Sequence, residues 1–412
     1  MKNIAWIFIV LFTLSNCQNT AVSEELDEIF EPEVIPISLS TERSGEPNLF
    51  VSASDELFLS WIENPNDSIA VLQFSKMVNG AWESPKEIAR GQDWFVNWAD
   101  FPAMSVYANN GNHMAAHWLQ KSKGGTYDYD VKIAQSSDGG QSWSSPLVPH
   151  TDGVSAEHGF VSFLPLAEGR MMACWLDGRN TKTEGGAMTL RTAELDIEGN
   201  LFEEAELDNR ICDCCQTGAA LTAQGPVVVY RDRSEGEIRD IYIVRKVNGT
   251  WQDPQPVFQD NWLINGCPVN GPAIDARENR VVVAWYAMPE GERQVKVAFS
   301  EDAGASFGSP IRIDSGNPEG RVDVIMLEDG RTLVSWLENK EEGEAAIQMT
   351  IIDRNMEKSE TISLASSSTS RSSGFPRIVQ VGDDIILAWT GVDGKKTKVK
   401  TAKIGTWSSS SD

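Results

Sequence analysis

Val281-Val282-Val283-Ala284-Trp285 is a run of β-branched and small apolar residues closed by an aromatic ring. A run this short and this rich in valine fits a strand buried on both faces, and it is too short for a buried helix. Similar runs occupy residues 57–61, 114–118, 171–175, 227–230, 333–336 and 385–389. Their closing aromatics, Trp61, Trp118, Trp175, Tyr230, Trp285, Trp336 and Trp389, stand 51 to 57 residues apart. So even a period marks seven copies of one supersecondary unit.

Each copy reads the same way internally. Around Trp285, a first strand at 272–274 precedes the aromatic-ended strand, a third follows at 294–299 and a fourth at 310–313. Four short strands with Gly- and Asp-rich turns describe a propeller blade, and a unit of about 55 residues is too small to hold a core alone. The expected architecture is all-β: a β-propeller of four-stranded blades, seven repeats, spanning 33–407, with a polar tail at 408–412. The last copy has only three clear strands, while residues 33–39 form a strand-like run ahead of the first copy. Pairing the two closes the ring and removes an exposed edge.

The start of the chain reads as an address. Lys2 is followed by an apolar run at 4–14, too short to span a bilayer, and then by Leu14-Ser15-Asn16-Cys17. Residues 1–17 resemble a bacterial lipoprotein signal. That implies a lipidated Cys17, a place in the bacterial cell envelope facing the periplasm or the exterior, and membrane contact through the lipid alone. An ordinary cleaved signal peptide is the alternative. The polar, acidic stretch 18–32 reads as a flexible tether. A formal net charge of −25 argues against nucleic acid, which needs clustered Lys and Arg, and keeps an exposed monomer soluble.

Two turns carry a more specific pattern. Ser136-Ser137-Asp138-Gly139-Gly140-Gln141-Ser142-Trp143 and Ser300-Glu301-Asp302-Ala303-Gly304-Ala305-Ser306-Phe307 both read Ser-x-Asp-x-Gly-x-Ser-aromatic. They resemble the Asp-box, or BNR repeat, of the sialidase superfamily, where Asp bonds the turn amides and Gly takes positive φ. Val78-Asn79-Gly80-Ala81-Trp82 and Val247-Asn248-Gly249-Thr250-Trp251 look like eroded forms at the same place in their blades. The combination of Glu157-His158-Gly159-Phe160-Val161-Ser162, Cys212-Asp213-Cys214-Cys215-Gln216 and Tyr230-Arg231-Asp232-Arg233 is similar to bacterial exo-α-sialidase-like lipoproteins. The resemblance implies hydrolysis or binding of an acidic glycan, with a six-bladed ring as the alternative to seven. It also implies three carboxylate-binding Arg, a Tyr–Glu nucleophile pair and an Asp acid/base. The first of those Arg belongs to an aromatic-Arg-Ile-Pro motif, and the matching stretch here, Gly45-Glu46-Pro47-Asn48-Leu49, lacks it.

In a propeller, the loops before each first strand and after each second strand share one face around the axis, and the distinctive residues fall there. Glu157, Asp177, Glu237 and Asp240 are the carboxyl candidates for glycoside cleavage, which needs a pair. Arg179, Arg231 and Arg239, with His158 and Trp94, are the candidates for holding an acidic ligand, since guanidinium forks match planar oxyanions. The alternative is internal pairing of those arginines with Asp177, Asp232 and Asp240. Cys212, Cys214, Cys215 and Cys267 fall on entry loops of neighbouring blades. In an exported protein the expectation is disulfides; the alternatives are a thiolate site for zinc or copper(I), with His158 as an optional further ligand, and free thiols. Cys174, in a core-type strand, reads as apolar filler. Three function classes stand open: a glycan hydrolase or binder, a binding or redox protein centred on the cysteines, and a non-catalytic surface scaffold.

Overall fold

A computed structural model describes residues 32–406. The signal with Cys17, the tether except Pro32, and the 408–412 tail lie outside the described residues. Seven antiparallel sheets make up the fold, each one a blade. Blade three shows the pattern in full: His158–Leu166, Arg170–Asp177, Met188–Asp196 and Leu201–Ile211 pair in order from the axis outward. The other inner strands are Ser44–Val51, Ala103–Val106, Gly218–Thr222, Ala273–Arg277, Pro318–Met326 and Arg377–Val381. Each inner strand touches the next, and the last touches the first. The circle therefore closes with seven blades, and the six-bladed alternative falls.

Closure uses the chain's early strand. Glu33–Ile35 pairs antiparallel with Lys396–Thr406, placing Glu33 opposite Lys403 and Ile35 opposite Thr401. This strand is shorter than the 33–39 expected, because Pro36 has no N–H to donate and the chain leaves the ladder there. Ile35 is buried with Leu49, Trp61 and Ala388, which joins blades one and seven.

The recurring aromatic is the hub of each blade. Trp61, Trp175, Trp285 and Trp336 are fully buried, and a buried indole N–H needs an acceptor. Trp61 donates to Glu63 Oε1 at 3.0 Å, Trp175 to Asp177 Oδ2 at 2.9 Å and Trp336 to Glu338 Oε2 at 2.6 Å. In blade five, where Ala287 stands two residues on, Asp260 Oδ2 takes the Trp285 proton at 2.7 Å. The same carboxylates receive the incoming loop, with Ser40 N donating to Glu63 and Asn317 N to Glu338.

Polar side chains also stitch the inner strands together. Asp100 Oδ1 accepts the Phe160 N–H at 2.7 Å, Asn270 Oδ1 the Arg321 N–H at 2.7 Å and Asp323 Oδ2 the Ile378 N–H at 2.8 Å. Phe160 and Arg321 have φ of 54° and 53°, and Glu46 matches them at 53°, each within a bulge of its inner strand. Phe101, Phe160 and Phe375 form one buried cluster with Trp98 and Val269 against it, which plugs the axis where the inner strands begin. Beyond the plug, a cavity of about 170 Å³ is lined by Ser105, Ser162, Thr217, Asp323 and Arg377 among others.

The two Asp turns press blades together. Asp138 Oδ1 accepts the N–H of Gln141 and Ser142, and Asp302 Oδ1 accepts that of Ser306. Gly140 and Gly304 have φ of 75° and 80°, and a Cβ there would lie 2.3 Å from Phe74 of blade one and 2.7 Å from Ile243 of blade four. Asn79-Gly80 and Asn248-Gly249 are something else. Both residues of each pair have positive φ, at 51° and 76° and at 49° and 78°, the signature of a type I′ hairpin. They stand at the expected place as tight hairpins, not as eroded Asp turns.

Deleting residues up to Ile35 is expected to cost about 2–4 kcal/mol, the burial of one isoleucine plus its ladder bonds, and to cause aggregation through the bared edge. Thermal unfolding with light scattering tests this, and an unchanged melting temperature would show the closing strand to be dispensable.

Candidate functional site

The cysteine loop enters blade four, and the Cys212 N–H donates to the Arg231 carbonyl at 3.0 Å, which pins the loop to the end of Gly225–Arg231. Cys212 and Cys215 are thereby buried, Cys214 is half-buried and Cys267, entering blade five, is exposed. All five cysteines among the described residues are free thiols. Cys212 Sγ lies 3.8 Å from Cys214 Sγ and 3.7 Å from Cys215 Sγ, with all three sulfurs within 4.8 Å of one another. The Cys267 thiol faces Cys214, and that contact lowers its pKa. Hydrogen bonds from Cys214 and Cys215 hold Cys212 well below the usual thiol range against the effect of burial, helped by the charges of Arg239 and Arg231. Arg239 Nη1 donates directly to Cys212 Sγ at 3.1 Å.

The three arginines do not form an open cradle. Arg231 is 1% exposed, and its guanidinium donates to the carbonyls of Asn270, Arg239 and Tyr286. Arg239 is shared between Cys212 and Glu237 Oε2, the latter at 2.8 Å. Arg179 donates Nε and Nη2 to the two oxygens of Asp177, both at 2.7 Å. Internal pairing therefore holds for Arg179, whereas Arg231 and Arg239 bypass Asp232 and Asp240.

The four carboxyl candidates also part company. Asp240 accepts the N–H of Asn261 and Trp262, each at 3.0 Å, and shapes a loop. Glu237 is gripped by Arg233, then Arg239, which bring its pKa to about 2. Burial pushes Asp177 up, but Arg179, His158 and the Trp175 indole outweigh it and bring the pKa to about 2. Trp94 stacks on Trp118, with centroids 5.3 Å apart, and fills space in the core of blades one and two.

Glu157 has partners that the sequence did not single out. The Tyr129 hydroxyl lies 2.9 Å from Glu157 Oε1 and 3.1 Å from Asp100 Oδ2. One hydroxyl carries one proton, so a proton on one carboxyl is needed to complete both bonds. Burial supplies the tendency: it raises Asp100 to about 8 and Glu157 to about 7. Asp100 lies in an entry loop, but Tyr129 sits in an ordinary third strand, and nothing in its neighbourhood sets it apart. His158 joins His150 instead of the sulfurs. The two rings stack with centroids 3.7 Å apart and planes 5° apart, and both face Asp152.

The chain superposes on a protein of unknown function from Dyadobacter fermentans with a TM-score of 0.54 at 14% identity, covering 91% of this chain and 98% of that one. It superposes on the phage phi92 endosialidase with a TM-score of 0.52 at 10% identity, covering 93% of this chain and 70% of that one. At such identities the likeness speaks for the fold, which is a sialidase-like β-propeller. No family model and no curated protein matches the sequence.

Glu46, in the bulge of the first inner strand, is pushed up by burial from 4.5 to about 7. A carboxyl whose pKa is higher folded than unfolded stabilises the fold fully below the unfolded value, and this contribution is lost as pH rises through the folded one. Glu46→Gln is therefore expected to exceed the native protein in stability by roughly 1–3 kcal/mol near pH 9 and to match it near pH 4. Melting temperatures across that range provide the check, and parallel profiles would refute it.

Proposed function

We propose that the protein is an exported, envelope-anchored metal-binding propeller in which Cys212, Cys214, Cys215 and Cys267 hold one soft ion, zinc or copper(I). The observation that carries this reading is the sulfur spacing. Zinc–thiolate bonds of about 2.3 Å at tetrahedral angles set sulfurs about 3.8 Å apart, and Cys212 stands 3.8 and 3.7 Å from Cys214 and Cys215. Three sulfurs stand close enough to share an ion, and Cys267, which faces Cys214 alone of the three, is the thiol at hand for the fourth place. Arg239 and Arg231 offset the negative charge that several thiolates bring. The exposed Cys267 leaves the ion reachable from solvent, which suits capture and exchange. In the oxidising compartment that residues 1–17 imply, a bound ion also keeps the thiols from pairing as disulfides.

Protein purified from its native compartment is expected to carry one zinc or copper ion per chain. Chelation should remove it at a cost of a few kcal/mol of stability, and Cys212→Ser combined with Cys215→Ser should abolish binding. Elemental analysis and thiol titration decide the matter. Metal-free protein with freely titrating thiols, or thiols that appear only after reduction, would overturn the reading.

Glu157 favours a second reading. A half-buried carboxyl near pKa 7, bonded by a tyrosine, has the properties of a general acid. In a fold shared with an endosialidase, that makes an acidic-glycan hydrolase or binder. An aryl sialoside is expected to turn over weakly or not at all, because Glu46 replaces the first Arg and Arg179, Arg231 and Arg239 are engaged. Robust turnover that Glu157→Gln abolishes would establish the glycan reading instead.

A further inference from the structure

His158 begins the inner strand of blade three with no exposed surface. Its Nδ1 lies 3.3 Å from the Tyr129 carbonyl oxygen, which can only accept, so Nδ1 carries the ring proton. In the neutral ring Nε2 is then a lone pair. It faces Asp152 Oδ2 at 3.4 Å and Asp177 Oδ1 at 3.6 Å. Neither Nε2 nor Asp152 Oδ2 has a hydrogen-bond partner among the described residues. Arg179 Nη2 lies 3.3 Å from Asp152 Oδ2 but donates to Asp177 Oδ2 at 2.7 Å.

With a neutral imidazole, three acceptors converge there, all within 4.8 Å of one another. The side chains of Asp152, His158 and Asp177 are 7%, 0% and 0% exposed, so little water screens them. Arg179 offsets part of their charge from one side, and a cation among the three donor atoms relieves the rest of the repulsion. The spacing fits a metal ion: bonds of about 2.0–2.2 Å at tetrahedral angles hold donors about 3.3–3.6 Å apart, and Nε2 stands 3.4 and 3.6 Å from the two carboxylate oxygens. A carbonyl on the far ring nitrogen is also the partner by which metal-bound histidines are oriented.

We propose that His158 Nε2, Asp152 Oδ2 and Asp177 Oδ1 form a second cation site, for a divalent ion of the zinc type, separate from the thiolates. A nitrogen and two carboxylate oxygens suit zinc and disfavour copper(I), which prefers sulfur. The donors come from the entry loop, the inner strand and the end of the second strand of blade three, so the ion fastens the blade's entry to its core. His150, stacked on His158 with Nδ1 3.5 Å from Asp152 Oδ2, stands beside the fourth position.

Chelator-stripped full-length protein titrated with zinc in a calorimeter tests the two sites separately. Two equivalents are expected. Cys212→Ser with Cys215→Ser should remove one, while Asp152→Asn or His158→Gln should weaken the other by at least about 100-fold. Cobalt-loaded protein reports the thiolate site by sulfur-to-metal charge-transfer absorption, which the Asp152 and His158 variants should leave intact. Asp152→Asn preserves shape, and its melting curve guards against misfolding. A single equivalent removed only by the cysteine variants overturns the second site and spares the first. A single equivalent removed only by the His158 and Asp152 variants does the reverse. An NMR signature of doubly protonated His158 in zinc-loaded protein also overturns the second site, because a proton is then the cation.

Discussion

In four of the seven blades the buried indole N–H of the recurring tryptophan finds a carboxylate acceptor, and this pairing organises the blade around it. In blades one, three and six the acceptor is a carboxylate two residues along the same strand, at Glu63, Asp177 and Glu338. Strand alternation puts residues i and i+2 on one face, so the pairing is built into the chain. Each carboxylate stands at the end of the second strand, where the entry loop of its own blade arrives. Glu63 and Glu338 spend their remaining capacity on that loop's backbone. Asp177 spends it on Arg179 and faces His158. A structural device repeated around the ring thus becomes, in blade three, the floor of a polar cluster.

Charge is the second constraint. With 35 basic residues against 60 acidic ones, the chain has few cations to leave idle. Arg231 and Arg239 turn inward to carbonyls and sulfur, and Arg179 to its neighbouring carboxylate. Carboxyls without such partners, the buried Asp100 and the half-buried Glu46 and Glu157, are driven toward neutrality. The end of the axis where the inner strands begin is filled by Phe101, Phe160 and Phe375. The distinctive chemistry lies at the entry loops and strand ends of blades three to five, with sulfur in one cluster and imidazole and carboxylate in the other. The two proposed sites thus offer different donor types, and such sets suit different ions.

The repeat, the number of blades, the closing strand and the gathering of four cysteines on adjacent entry loops were legible in the chain alone. They depend on periodicity and order, which are properties of sequence. The Arg179–Asp177 pair was legible for the same local reason. What only the tertiary structure decided is which partner each remaining group takes. Arg231 and Asp232 are adjacent at the end of a strand, so their side chains leave in opposite directions, and the pairing that their order suggests does not form. Tyr129 reaches Asp100 and Glu157, and His158 reaches Tyr129 and Asp177, across 19 to 29 residues whose loop paths no local pattern encodes. Whether the thiols lie at bonding distance from one another or at the spacing of ligands around an ion is likewise set by where two separate loops come to rest on the finished ring.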